Sequence, residues 1–243
     1  MFNYLFFIIF YLITAIILPI LIILLKPLNI LFGDKFNWNK LSYIILNYIL
    51  CIDNEIIYKD KFIKNGYILS NHRSWFDNIY DVYITKSIGT GRYLGIMSMG
   101  FAGLLSYIEN RAAIFKRGKV KRKEIFNKMF KIKKKSKYKN LLIFPEGTRN
   151  NYKEINSIED IKSKLKFGII KSIYETDKNL PVQLCITSNK EKVINEKKLK
   201  FNRNVKIKTC ISKVIIPKNY DTLELFINAI CKEWFDCYNI SHN

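Results

Sequence analysis

The first 25 residues carry no charge and are apolar almost throughout, with unbroken runs from Leu5 to Phe10 and from Leu21 to Leu25. At about 1.5 Å per residue such a segment is long enough to cross a hydrocarbon core of about 30 Å. It lacks the basic start and small-residue cleavage site of a signal peptide, so it reads as retained. Pro19 can kink it, or split it into a hairpin that dips into one leaflet and returns. Cations follow the segment (Lys26, Lys35, Lys40) and none precedes it, which places the main body on the cytoplasmic side. A shorter apolar and aromatic stretch, Leu41 to Leu50, suits an interfacial helix under the first or the first helix of the core. The pattern divides the chain into a transmembrane or re-entrant anchor (1–33), an interfacial amphipathic segment (34–60) and one folded domain (61–243).

Past Asp53, short apolar runs alternate with amphipathic stretches, the mark of an α/β domain. The turn signal Asn65-Gly66 precedes a strand over Tyr67 to Ser70, and Trp75 to Lys86 reads as a helix with Ser74 as its N-cap. Glycines 89, 91, 95, 100 and 103 punctuate a loop-rich stretch before a strand at Ala112 to Phe115. Helical spacing of Ile125, Phe126, Met129, Phe130 and Ile132 predicts a basic amphipathic helix over Lys119 to Lys135. Further strands are expected at Leu141 to Phe144, Leu180 to Ile186 and Val205 to Ile216, and a terminal helix at Thr222 to Tyr238. The polar segments 150–164 and 188–204 read as surface loops.

Charge changes this picture less than its size suggests. The net +21, from 41 basic against 20 acidic residues, would suit nucleic acid, an anionic membrane surface or phosphorylated ligands. However, 34 of the cations are Lys, in a chain also rich in Asn, Ile, Tyr and Phe, so part of the charge reflects AT-rich codons. Against that background the 7 arginines are more telling, because a planar guanidinium grips phosphate or carboxylate with two parallel bonds. The five cysteines form no CxxC pair and no zinc-spaced cluster, and read as small buried hydrophobes in a reducing compartment. No metal site, Gly-rich nucleotide loop or G-x-S-x-G elbow is present in the sequence, and no cofactor is expected.

Two short strings carry the chemistry. In Asn71-His72-Arg73-Ser74-Trp75-Phe76-Asp77 a histidine ends a strand and an acid follows five residues later in the first turn of a helix. Such a turn can bring the carboxylate to one imidazole nitrogen and leave the other for substrate, a base with its orienting acid. Ser74-x-x-Asp77 also matches a capping box, in which Asp77 would merely satisfy the helix start. The chain has two histidines, and His242 is near the terminus, so imidazole chemistry in the folded body falls to His72. In Phe144-Pro145-Glu146-Gly147-Thr148-Arg149 a tight turn after a buried strand gathers backbone N–H groups beside an arginine, a natural phosphate cradle, with an ordinary strand exit bearing a surface ion pair as the plainer reading.

Together the strings resemble the lysophosphatidic acid acyltransferase family, membrane glycerolipid acyltransferases that move an acyl group from a thioester to a lysophospholipid hydroxyl. Ile114-Phe115-Lys116-Arg117 is similar to the family block between the two motifs, and Leu180-Pro181-Val182 to a later proline-bearing strand, where Leu184 takes the place of a second proline. Arg92 is the candidate for a lysine that many members carry after the first motif. The resemblance implies a glycerolipid-acyltransferase-like mixed central sheet flanked by helices, with His72 as general base, Asp77 as its orienter, and Arg117, Glu146, Gly147, Thr148 and Arg149 holding the acceptor phosphate. It further implies acyl-CoA or acyl carrier protein as co-substrate, and 1-acyl-sn-glycerol-3-phosphate or another lysophospholipid as acceptor. The partners expected are these substrates and an anionic membrane surface, without nucleic acid. A different class of reading, a membrane-tethered nucleic-acid-binding or scaffold protein, would use the basic region Lys119 to Lys139 as its phosphate-tracking surface.

Overall fold

The computed structural model describes residues 2–24, 38–93, 100–115, 122–149 and 155–242. Its strands are β1 (Asp53–Tyr58), β2 (Gly66–Ser70), β3 (Ser87–Arg92), β4 (Ala112–Phe115), β5 (Asn140–Ile143), β6 (Val182–Thr187), β7 (Ile194–Asn195), β8 (Lys200–Phe201) and β9 (Lys206–Ile211). Seven of them form one sheet in the order β1-β9-β6-β2-β5-β3-β4, while β7 and β8 make a separate hairpin. Neighbours in the large sheet run parallel except β6 and β9. The central strands β2, β5 and β6 are buried along their whole length, as parallel strands covered on both faces must be.

Alternation along β2 sends side chains to two different cores. Tyr67 and Leu69 pack with Phe126 and Met129 of helix α6 (Arg122–Lys135), Ile161 of α7 (Ile158–Lys164), Ile170 of α8 (Phe167–Thr176) and Trp234 of α10 (Leu223–His242). Ile68 packs the other way, with Leu142 and with Val82 of α4 (Asp77–Thr85). That second face is extended by α1 (Phe2–Leu12), α2 (Leu18–Leu24), α3 (Trp38–Leu50) and α5 (Phe101–Ile108), whose Phe10, Leu18, Ile22, Leu46 and Leu105 join Trp75 and Phe76 in one cluster. The result is a three-layer α/β arrangement.

The N-terminal segment is helical but not uniform. Between α1 and α2 the residues Ile13–Ile17 form a π-helical stretch, and Pro19 follows it. Proline has no N–H to donate and its ring displaces the carbonyl one turn back, so wider winding just before it relieves the clash. Among the described residues no helix is long and apolar enough to cross a membrane. One stripe (Phe10, Ala15, Leu18, Ile22) is buried against the domain, while Leu5, Ile8, Ile9, Leu12, Ile17, Ile20 and Leu21 remain exposed. Residues 25–37, which complete the expected anchor and begin the interfacial segment, lie outside the described residues.

Several elements depart from the sequence pattern. The glycine-rich stretch read as a loop contains β3, in which Gly89 lies beside Val82 of α4. The polar segment 150–164 contains α7, started by a capping box of Ser157 and Asp160. Segment 188–204 contains the β7–β8 hairpin and a short helix, α9 (Lys190–Val193). The helix expected from Trp75 begins instead at Asp77, because the carboxylate of that residue holds the preceding turn open. Of the five cysteines, Cys51 is exposed and the other four are buried; all are free thiols.

Candidate active site

β2 and β5 are hydrogen-bonded neighbours with Leu69 opposite Ile143, so the two strings leave the same edge of the sheet side by side. They emerge at the carboxyl ends of parallel strands, where open α/β sheets form their ligand crevices. Asn71 extends the pairing past the strand end: its side-chain amide donates to the Thr187 carbonyl at 2.8 Å, and the Thr187 N–H donates back to its Oδ1 at 3.0 Å. The chain is thereby fixed one residue before His72.

His72 Nδ1 lies 2.7 Å from Asp77 Oδ2. The same oxygen accepts the backbone N–H groups of Arg73 at 2.6 Å and Ser74 at 3.2 Å, so one buried carboxylate holds both the turn and the imidazole. The cap reading and the orienter reading of Asp77 thus describe a single geometry. With Nδ1 engaged, Nε2 is the nitrogen left for substrate. The ring is further held by stacking on Phe144, at 4.4 Å between centroids, and its backbone N–H donates to Glu146 Oε2 at 3.0 Å. Glu146 is almost fully buried, so its carboxylate supports the histidine from inside.

Behind the pair lies a fully buried lysine. Lys190 Nζ donates to Asp81 Oδ2 at 2.7 Å and to the Asn71 carbonyl at 2.7 Å, and stands 3.4 Å from Asp77 Oδ1. Ser70 Oγ donates to Asp81 Oδ2 at 2.8 Å, and Ser74 Oγ donates to the Lys190 carbonyl at 3.1 Å. Burial opposes ionisation of Asp77, but the Lys190 ammonium, with His72 and the Arg73 N–H, outweighs it and holds the carboxyl below its ordinary range. Burial, helped by the charge of Asp77, pushes Asp81 up to about 7 although Lys190 pulls the other way.

In front of the pair is a cavity of about 230 Å³. Ile125, Phe126, Met129, Phe144 and Ile169 give it an apolar wall, while His72, Arg92 and Lys166 bring polar groups to it. Gly147 adopts φ +70, a left-handed conformation that suits glycine, and a Cβ there would meet the Lys166 side chain at 2.9 Å. Arg92 Nη2 approaches the Gly147 carbonyl at 3.4 Å. The remaining motif residues sit further out. Thr148 is exposed on the turn, and Arg149 forms an ion pair with Glu196, whose carboxylate also accepts the Trp75 N–H. Arg117 lies outside the described residues.

Sequence patterning missed Asp81, Lys190, Glu196 and Lys166. A readable signal existed for the first: Asp77 and Asp81 are four apart on one helix, hence on one face, among Ile79, Tyr80 and Val82. Two acids on a face that packs inward need buried donors, here including a cation whose position in sequence is set by tertiary structure. The second histidine stands apart, stacked on Tyr238 with Nδ1 near the Tyr238 carbonyl. Among the described residues no group of His, Cys, Asp and Glu could hold a metal ion.

No family model matches the sequence, and no curated protein matches it either. Among solved structures, the 1-acyl-sn-glycerophosphate (LPA) acyltransferase PlsC from Thermotoga maritima matches with a TM-score of 0.67 and 16% identity. The match covers 98% of this chain and 93% of that one. The chain therefore has the fold of this LPA acyltransferase, a mainly parallel central sheet flanked by helices.

Proposed function

We propose that the protein transfers an acyl group from a thioester donor, acyl-CoA or acyl carrier protein, to the free hydroxyl of a lysophospholipid. The acceptor that fits most directly is 1-acyl-sn-glycerol-3-phosphate, giving phosphatidic acid. The observation that carries this reading is an oriented imidazole at the wall of an apolar cavity that two cationic side chains, Arg92 and Lys166, also reach. The shared fold with an LPA acyltransferase supports it.

In the reaction His72 Nε2 accepts the hydroxyl proton while Asp77 stabilises the imidazolium through Nδ1. The alkoxide oxygen forms a bond to the thioester carbonyl carbon. Collapse of the tetrahedral intermediate breaks the carbon–sulfur bond, and the thiolate takes the proton back from His72, leaving ester and free thiol. General-base help of this kind is worth about 10²–10⁴-fold, so positioning of the two substrates must supply the rest. The apolar wall suits an acyl chain. Arg92, Lys166, Arg149 and the Gly147–Thr148 turn are candidates to hold the acceptor phosphate, with Arg117 a further one from the family resemblance.

The exposed apolar side of α1 and α2 supports docking on a membrane leaflet. Gly100 at the start of α5 lies against Ala15, so exposed Phe101, Leu104, Tyr107 and Ile108 adjoin the exposed side of the N-terminal helices. An apolar surface of this extent marks a membrane or partner site, and a lipid acceptor makes the membrane the natural one.

The deciding assay is release of free thiol by the detergent-purified protein, given oleoyl-CoA or oleoyl carrier protein and a panel of lysophospholipids. Wild type is expected to turn over with at least one acceptor, and His72→Ala to lose about 10²-fold or more. Inertness with every donor and acceptor, or full activity in His72→Ala, overturns the reading.

A further inference from the structure

The mechanism above leaves unexplained why a fully buried ammonium sits behind the catalytic pair, on an element far away in sequence. A lone buried Lys opposite a single Asp would make a self-contained pair; here one cation faces two buried carboxylates, Asp77 and Asp81. We propose that Lys190 is a positioning residue for His72: its ammonium fixes the Asp77 carboxylate against the imidazole and, with Asp81, sets the charge that His72 faces. The inference rests on the reading of His72 as the proton acceptor.

Three geometric facts support it. Lys190 Nζ bonds the carbonyl of Asn71, the residue preceding His72, so the cation is tied to the strand end that carries the base. It approaches Asp77 at Oδ1, the oxygen that His72 does not use, which holds the carboxylate with Oδ2 turned toward the ring. Its partner Asp81 is one helical turn beyond Asp77 and is itself held by Ser70, on the strand end next to Asn71. The cluster therefore clamps both sides of the turn that presents the imidazole.

Above about pH 7, where Asp81 is ionised, the buried set Asp77, Asp81 and Lys190 sums to one negative charge, which an imidazolium at His72 would neutralise; below it Asp81 keeps its proton and Lys190 balances Asp77. Removing the lysine leaves the acids uncompensated and favours a proton already resident on His72, a state that cannot act as base. Removing the Asp81 carboxyl does the opposite where that group is ionised, at about pH 7 and above. The other charged groups facing the imidazole are Glu146 at its backbone N–H, Arg92 and Lys166 across the cavity, and the Arg149–Glu196 pair on the outer rim. None of these is altered by either substitution.

The test is a titration of the His72 ring by NMR in the full-length protein in detergent, using isotope-labelled histidine. His242 is pushed down to about 4 by burial and by the charge of Arg73, so it stays neutral through the range scanned. Lys190→Met is expected to move the His72 midpoint up by about 0.5 pH unit or more, and Asp81→Asn to move it down by a smaller amount. The acidic limb of the thiol-release profile should follow the same two directions. If folded variants titrate like the unsubstituted protein, or both shift in the same direction, the proposal is overturned. Should Lys190→Met fail to fold, Lys190→Gln, which keeps a polar donor beside the two acids without the charge, decides in its place. The titration needs no turnover, so a protein with the expected shifts but no thiol release would retain the clamp and lose the acyltransferase reading.

Discussion

The backbone N–H of His72 donates to Oε2 of Glu146 at 3.0 Å, joining two strings that are 74 residues apart in the chain. The acid of the second string thus faces inward, toward His72. Glu146→Ala would leave that N–H without its acceptor and open a void in a buried site. The expected cost is about 1–3 kcal/mol of stability, with kcat reduced more than the acceptor KM is raised. Glu146→Gln keeps an acceptor oxygen and should recover most of the stability. Chemical denaturation and steady-state kinetics of the two variants check this, and equal damage from both would contradict it.

Arg149 already has an anionic partner, the carboxylate of Glu196, across from the first turn of the site. If its guanidinium serves phosphate during turnover, it must exchange one oxyanion for another. Arg149→Ala should therefore raise the KM for a phosphate-bearing acceptor about tenfold while kcat changes by less than about threefold, the pattern of lost uniform binding. An acceptor series lacking phosphate should be insensitive to the substitution.

Leu5 and Leu12 are about half exposed on the open side of α1, away from the stripe formed by Phe10, Leu18 and Ile22. Leu5→Glu combined with Leu12→Glu should leave the thermal unfolding midpoint nearly unchanged and weaken co-sedimentation with anionic vesicles about tenfold or more. Phe10→Glu would instead unfold the N-terminal packing. Unchanged vesicle binding in the double variant would place the lipid-facing surface elsewhere.

Asp81 offers a pH test independent of activity. Its carboxyl is raised from 3.8 to about 7 in the folded protein, with burial the chief cause. Between those values the native state keeps a proton that the unfolded chain has released, so this group makes stability fall as pH rises, and its contribution levels off above about 7. The stability of wild type minus that of Asp81→Asn should therefore decline across roughly pH 4 to 7, by an amount on the order of 4 kcal/mol. A flat difference curve would show that Asp81 ionises as readily folded as unfolded.

Legibility in the sequence followed contiguity. The strand-end histidine with its acid and the glycine turn with its arginine each lie within seven residues, so local spacing alone brought them forward. Asp81 was half legible, through its helical spacing from Asp77, but Lys190 and Glu196 reach the site from 109 and 121 residues away and carry no local mark. Strand β3 was hidden because its glycines read as loop, whereas pairing with β4 on one side and β5 on the other holds the segment extended. Helix α7 was hidden by polar composition, although its Ser157–Asp160 cap is a local signal that favours a helix start. In the apolar N-terminal segment the sequence marked Pro19 as the place of a kink or split, and the described residues form two helices flanking a wider turn just before that proline, with one stripe packed on the domain.

The adjacency of β2 and β5 also has a kinetic meaning. Between them in the chain come α4, β3, α5, β4 and α6, and β3 itself docks on the far side of β5. The base and its supporting acid therefore meet after the centre of the sheet has closed over a long loop, a slow, entropy-limited event. A slip of one residue between these strands would carry Glu146 to the opposite side of the sheet from the His72 amide. Recovery of the proposed thiol release after dilution from denaturant should thus lag behind helix formation and coincide with the last increase in core burial, which would make it a reporter of strand register.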